Sequence, residues 1–372
     1  MGAKLRAAAL ALAVSAALIG SAGPASSQEP PSSPSPSSPP SDTSRIIPFG
    51  TSFWWALSEL LFGEDPAVLA GTARHDPWSR KIDGVSTTPV PESRTNLIST
   101  MIWGGYDVSD HIGLGPNQRL VLGGFYRHDF AWTKFGGFGE QTSDNNAFGV
   151  LAVYVLDNWQ FSGGVAFDFG DAEITNFPSG NVGKFDTRAH SAAIQVGRVF
   201  TLWGDAMPPG RTAEGPWPFR IRQMSVYFNP VFRAGYSRAR ADGFIDAGGV
   251  AFGKEIERAW TVGGSFTLSA VLPQNGAGPL WRPYVEFSID RQLGYRHTID
   301  LPTTGQVARL DHDKTFWGVS GGVAVWVNRN VSLGGSGFFR ASGSQEAAGG
   351  LFWVRVNLFG PGGFLRGVIA NR

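Results

Sequence analysis

Arg258-Ala-Trp-Thr-Val-Gly-Gly-Ser-Phe-Thr-Leu-Ser-Ala-Val271 and, after a Pro-rich turn, Trp281-Arg-Pro-Tyr-Val-Glu-Phe-Ser-Ile-Asp-Arg-Gln292 carry the pattern that decides the fold. In the first arm Trp260, Val262, Phe266, Leu268 and Ala270 share one face, and Thr261, Gly263, Ser265, Thr267 and Ser269 share the other. In the second, Trp281, Pro283, Val285, Phe287 and Ile289 oppose Arg282, Glu286, Ser288, Asp290 and Gln292. Successive side chains point to opposite sides of a strand, so one face suits hydrocarbon and the other water. The alternation lasts for ten residues or more, the length of a tilted strand that crosses a bilayer. Trp260 and Trp281 stand near the ends, where a membrane interface favours them.

A soluble sandwich alternates too, and the rest of the chain has to decide which face is inside. Gly 50, Trp 13 and Phe 27, with only 16% charged residues, describe a glycine-rich, aromatic, charge-poor chain of 372 residues. That composition without a long apolar run fits a transmembrane β-barrel better than a cytosolic enzyme. A net charge of +1 excludes the basic footprint of a nucleic-acid partner. The absence of cysteine removes disulfides, thiol catalysis and thiolate metal sites.

Residues 1–27 have the form of a signal peptide: Lys4 and Arg6, an apolar stretch from Ala7 to Ile19, then small residues with cleavage after Ala25 or Ser27. No cysteine follows to carry a lipid. The apolar stretch is too short for a permanent span, and nothing else approaches the ~20 apolar residues of a transmembrane helix. A membrane protein without such helices must be a closed barrel, since open strand edges cannot be left in lipid.

The expected organisation follows in order. Residues 28–44 are a Pro/Ser-rich polar tether. Residues 45–95 are an N-terminal segment in which Ile46–Phe62 forms a first strand or a lumenal plug: its aromatics suit a strand, while Leu57, Leu60 and Leu61 keep helical spacing. Gly63–Ser93 is loop-like, with His75-Asp76 a solvated pair. Residues 96–360 are the barrel and 361–372 a C-terminal extension. Strands are expected at Ile98–Tyr106, Arg119–Trp132, Ala147–Leu156, Trp159–Phe169, His190–Trp203, Gln223–Tyr236, the two arms of the central hairpin, Phe316–Val327, Val331–Ala341 and Leu351–Phe359. With Ile46–Phe62 this gives about twelve, an even number as bacterial barrels have. Arg198 stands on an apolar face, as a snorkelling side chain or a bulge. Short connections (Asp157-Asn158, Gly204–Pro218, Pro273–Pro279, Asn328–Asn330) alternate with longer ones (Thr133–Asn145, Asp171–Lys184, Arg238–Glu257, Tyr295–Asp313), with Arg238–Glu257 a polar loop or a strand extension above the membrane. A barrel sorts short turns to the periplasmic rim and long loops to the outer one. The fold class is therefore all-β: a transmembrane antiparallel up-and-down barrel with its bulky apolar residues facing lipid.

From Ile98 to Phe359 the order of features resembles the translocator β-domain of autotransporters. The cues are Asn145-Asn-Ala-Phe-Gly-Val-Leu-Ala-Val-Tyr154 before the turn and Trp159; Pro230-Val-Phe-Arg-Ala-Gly-Tyr236 leading to Asp242-Gly-Phe-Ile-Asp-Ala-Gly-Gly249; Gly263 in the next strand; Arg282-Pro-Tyr-Val-Glu286; and the aromatic-ended Phe352–Phe359. The resemblance implies a twelve-stranded barrel with a segment threaded through its lumen and an exported N-terminal passenger. It also implies recognition of a terminal aromatic residue by the outer-membrane insertion machinery. Two departures stand out. Gly360–Arg372 continues past Phe359, and the residues between Ser27 and Ile98 are too few for a β-helical passenger built of repeats of ~20–30 residues.

No catalytic constellation is apparent. His75, His111, His128, His190, His297 and His312 sit in neither a Gly-x-Ser-x-Gly nor a His-Glu-x-x-His context. On a strand Asp311-His312-Asp313 would put both Asp on one face and His312 on the other, which is poor for shared metal ligation. The expectation is no enzyme, no cofactor and no metal. Strand parity instead places Arg127, Asp129, Asp168, Arg233, Arg282, Glu286, Asp290, Arg340 and Arg355 on inward faces, where charges avoid lipid and pair across the lumen or line a water path. Arg238-Ala-Arg240 is a small basic surface cluster suited to lipopolysaccharide phosphates. The expected partners are outer-membrane lipids, lipopolysaccharide and the barrel insertion machinery, in the outer membrane of a Gram-negative cell. The expected function is a structural or surface barrel with little or no passenger, with a porin-like passive channel for small solutes as the alternative.

Overall fold

A computed structural model describes the chain between residues 67 and 356, apart from residues 76–78, 83–84, 90–92, 110–111, 116, 136–138, 177–179, 207–222, 273–278, 303–305, 312–314, 328–330 and 343–344. The signal peptide, the tether, Ile46–Phe62 and the C-terminal extension lie outside the described residues.

Every regular element described is a strand. In chain order they are β1 (Ala67–His75), β2 (Ser79–Ile82), β3 (Val85–Pro89), β4 (Ser93–Asp107), β5 (Gln118–Phe135), β6 (Gly139–Leu156), β7 (Trp159–Asn176), β8 (Val182–Arg198) and β9 (Phe200–Trp203). There follow β10 (Ser225–Ala241), β11 (Phe244–Ile245), β12 (Ala251–Phe252), β13 (Glu255–Val271), β14 (Leu280–Leu301), β15 (Gln306–Asp311), β16 (Thr315–Trp326), β17 (Val331–Ala341) and β18 (Gln345–Val356). Twelve of these form a closed antiparallel ring: β1, β4, β5, β6, β7, β8, β10, β13, β14, β16, β17, β18 and back to β1. Closure removes both edges, as lipid requires.

The large apolar residues face outward. On β7, Trp159, Phe161, Val165, Phe167 and Phe169 are exposed; on the central hairpin, Trp260, Phe266, Leu268, Trp281, Phe287 and Ile289 are. The apolar run on β7 ends at Phe169, and Asp171 and Glu173 occupy the next outward positions. Eleven residues from Trp159 to Phe169, at ~3.3 Å each and tilted about 40°, span roughly 25 Å, the height of the apolar band of a membrane barrel. Arg198, opposite Trp159, sets its guanidinium over the Trp159 and Phe200 rings at 5.2 and 4.9 Å. It therefore anchors the lower belt by cation–π contact while its charge faces the interface.

The ring starts at Ala67, inside the stretch expected to be loop. β1 takes the place among the twelve that Ile46–Phe62 was expected to fill. Ala67-Val-Leu-Ala-Gly-Thr-Ala holds small residues at both parities, so it shows little amphipathic contrast.

The expected loops Thr133–Asn145 and Asp171–Lys184 are also strand: β5 and β6 pair up to Phe135↔Gly139, and β7 and β8 up to Thr175↔Val182. The same holds for much of Tyr295–Asp313, where β14 continues through Gly294, a glycine at φ +58°. A register shift lies there, between Arg258↔Arg296 and Trp260↔Leu293. Gly tolerates this left-handed bulge. It returns Tyr295, His297 and Ile299 to the buried face. The rim asymmetry is thus one of strand overhang rather than loop length. At the near rim Asp157, at φ +51°, opens the two-residue turn from β6 to β7. At the far rim the strands run on beyond the belt. Both ends of the described wall, Ala67 and Val356, lie at the near rim.

Candidate functional site: the lumenal wall

The inward faces carry small polar residues interrupted by two charged clusters. Each cluster reaches across a strand that carries a small residue in register. On one side, Arg127 of β5, Ala147 of β6 and Asp168 of β7 are in register. Arg127 Nη2 is 2.7 Å from Asp129 Oδ2 and 3.3 Å from Asp168 Oδ1, and Ser99 of β4 donates its hydroxyl to Asp129. The methyl group of Ala147 leaves room for the guanidinium to reach across its strand.

On the other side, Arg233 of β10, Gly263 of β13 and Asp290 of β14 are in register. Arg233 donates through Nε and Nη2 to the two oxygens of Asp290, each at 2.8 Å. This is the bidentate geometry that makes Arg–carboxylate pairs strong. Arg340 of β17 adds Nη2 at 3.1 Å. A Cβ at Gly263 would run into the Asp290 carboxylate, and one at Gly318 would crowd Ser288 beside Arg340.

Of the charges singled out by parity, six are brought together as these two triads. Glu286 accepts a long hydrogen bond, 3.4 Å, from Thr267 Oγ1. Arg282 is buried with its guanidinium 5.8 Å from the Tyr284 ring and joins neither triad. Arg355 lies opposite Ser332 in the β17–β18 ladder, and its side chain is outside the described residues, as are His312 and Asp313.

Parity alone did not single out four other arrangements. Thr95 and Thr133 share a 2.8 Å hydrogen bond, and Thr187 donates to Asn145 at 2.6 Å. His297 and Glu255, wholly buried at the far end, contact each other. The fourth is the β11–β12 hairpin. Its Phe244 stacks between Phe185, on the inward face of β8, and Phe252, with centroid distances of 5.2 and 4.6 Å. Asp246 accepts the backbone N–H groups of Gly248 and Val250 at 2.8 and 2.9 Å, and Ala247 N–H reaches Val182 O at 3.0 Å. The far connection is thereby folded into the mouth. The hydrogen-bonding of Asp246 within Asp242–Gly249 is the one of these that a sequence could signal, through turn-forming Asp and Gly.

Outside the wall, Lys184 and Glu173 pair at 2.9 Å above the belt. The hydrogen bond to Glu173 holds the Lys184 ammonium above its ordinary value. Among the described residues no three metal-capable side chains gather.

The wall residues are closed off from solvent. Thr95, Ser99, Thr133, Asn145 and Thr187 are 2–3% exposed, and Ser225, Thr261, Ser265 and Ser269 are buried as well. Twelve strands enclose more space than such short side chains fill, since about eight strands already make an interior that side chains just occupy.

The sequence pattern of the family described as "Autotransporter beta-domain" matches residues 92–337. No curated protein sequence matches the chain. Among solved structures, the transport unit of the autotransporter AIDA-I from Escherichia coli superposes with a TM-score of 0.56 at 12% identity, covering 84% of this chain and 100% of that one. The translocator domain of the autotransporter NalP from Neisseria meningitidis gives 0.54 at 12% identity, over 82% and 92%. The β-domain of the Bordetella autotransporter BrkA gives 0.50 at 12%, over 78% and 99%. At such identity these likenesses speak for the fold alone.

Proposed function

The chain belongs to the autotransporter β-domain family, and from that premise we propose that it is an outer-membrane barrel whose lumen is occupied by its own N-terminal segment, with little or no passenger beyond it. In this reading residues 1–27 direct export, the near rim faces the periplasm, and the far rim, with its strand overhang, faces outward. Residues 28–44 serve as tether, and Ile46–Phe62, which precedes β1, is the lumenal plug. The role is structural or surface-exposed rather than enzymatic.

The observation that carries this is the burial of the small polar wall residues from Thr95 to Ser269. A barrel open to water would leave them wet. The Arg127 and Asp290 clusters then line the space around the segment, and the Phe185–Phe244–Phe252 stack narrows its outer mouth.

The test is single-channel conductance in planar bilayers, with and without residues 28–62. Little conductance in the intact protein and a large one after deletion is the expected result. Steady conductance in the intact protein would mean a porin-like passive channel. No conductance in either form would mean a filled, purely structural barrel whose plug lies elsewhere. Labelling of Trp55→Cys in whole cells adds a second check: a lumenal segment is protected from a bulky impermeant reagent.

A further inference from the structure

The outward face changes character above the aromatic belt between β8 and β14. His190, Arg238, Arg258 and Arg296 are consecutive partners in register across β8, β10, β13 and β14, and all four are exposed. Tyr236, Trp260 and Leu293 fill the outward positions just below them, again in register, with the Tyr236 and Trp260 rings 5.1 Å apart. Arg291, on the outward face between Ile289 and Leu293, adds another exposed guanidinium.

Like charges directly opposite one another destabilise a sheet. Here several stand side by side, and among the described residues none of Arg238, Arg258, Arg291 or Arg296 has an acidic partner. The next arginine up, Arg240, is paired with Asp242 at 2.5 Å. A row of arginines one step above an aromatic belt has the geometry for an anion that sits at headgroup height, with acyl chains running down over Tyr236, Trp260 and Leu293. Neutralisation by that anion would remove the repulsion.

We infer that Arg238, Arg258 and Arg296 bind the phosphate groups of an outer-leaflet phosphorylated glycolipid, lipopolysaccharide. The wall below them contacts its acyl chains, and Arg291 and His190 flank the site. This rests on the barrel spanning the outer membrane with its far rim outward. It is independent of what fills the lumen, which the conductance measurement reads separately.

The experiment uses the full chain in neutral detergent micelles. It is titrated with bisphosphorylated lipid A, with the dephosphorylated lipid and with inorganic phosphate, and followed by native mass spectrometry and by heat-shifted gel migration. Bisphosphorylated lipid A should bind and raise the barrel's melting temperature. The Arg238→Gln/Arg258→Gln/Arg296→Gln variant should bind it about tenfold or more weakly, given the strength of charge-assisted hydrogen bonds, while keeping its heat-shifted migration. Arg258→Gln alone, in the middle of the row, stands in if the triple variant does not fold. Equal binding of lipid A by wild type and either folded variant would overturn the proposal. So would equal binding of the dephosphorylated lipid to the wild type. A stabilisation by inorganic phosphate equal to that by lipid A would assign the row to a soluble anion and overturn the lipid reading.

Discussion

The two charged clusters of the inner wall are opposites in sign and alike in construction. Around Arg127 one cation serves two carboxylates, Asp129 and Asp168. Around Asp290 one carboxylate serves two cations, Arg233 and Arg340. Each reaches over an intervening strand where the residue in register is small, Ala147 in one and Gly263 in the other. The comparison shows how a barrel ties strands that are not neighbours: a long guanidinium spans two strand spacings only if the middle strand offers almost no side chain. Backbone ladders join adjacent strands, and these triads add ties between next-nearest ones.

The central ion of each triad therefore matters most. Arg127→Leu leaves Asp129 and Asp168 buried without their cation and is expected to cost about 3–5 kcal/mol, the range for breaking a buried pair from one side. Urea unfolding in lipid vesicles measures it. Asp290→Leu, its counterpart, should cost a similar amount by stranding Arg233 and Arg340. The double change Arg127→Leu with Asp168→Leu should recover part of the loss, because fewer charges remain unpaired. A negligible effect at one centre and a large one at the other would break the symmetry.

The middle strand comes next. Gly263→Leu should displace the Asp290 carboxylate and cost about 1–3 kcal/mol as overpacking, with Ala147→Leu close behind. If Gly263→Leu is neutral, the bidentate contact is not what requires glycine there. Smaller again is Phe244→Leu at the outer mouth, which keeps most of the buried area and removes ring stacking worth about 0.5–1.5 kcal/mol, read by the same unfolding curves. Lys184→Gln, on the exposed pair with Glu173, should leave the unfolding midpoint unchanged, since solvated ion pairs contribute little.

Legibility followed the medium around the strand. Within the belt, one side meets lipid and the other a polar interior, so Trp159–Phe169 shows its period in plain sight. Past Phe169 both sides are polar: Glu140, Thr142 and Asp144 face out while Gln141, Ser143 and Asn145 are buried. The contrast vanishes there although the ladder continues, and the overhangs read as loops for that reason. The bulge at Gly294 hid the far end of β14 differently, by switching the parity midway. In the wall, parity is a local property, so one strand alone suggests which of its charges face inward. Their partners depend on register between strands far apart in sequence, such as Arg233 and Arg340 meeting on Asp290, and no local pattern encodes that.

The bulky face of each strand within the belt meets lipid, and the polar face meets an enclosed interior. With no native cysteine, single spin labels can be placed along β7 and β8 in reconstituted bilayers. Their collision rates with oxygen, which concentrates in lipid, and with a water-soluble nickel chelate then report the medium at each site. Labels at Phe161, Val165, Phe167 and Ile194 should be oxygen-accessible, and labels at Ser162, Ser191 and Gln195 should be protected from oxygen. The opposite alternation, or none, would contradict the account.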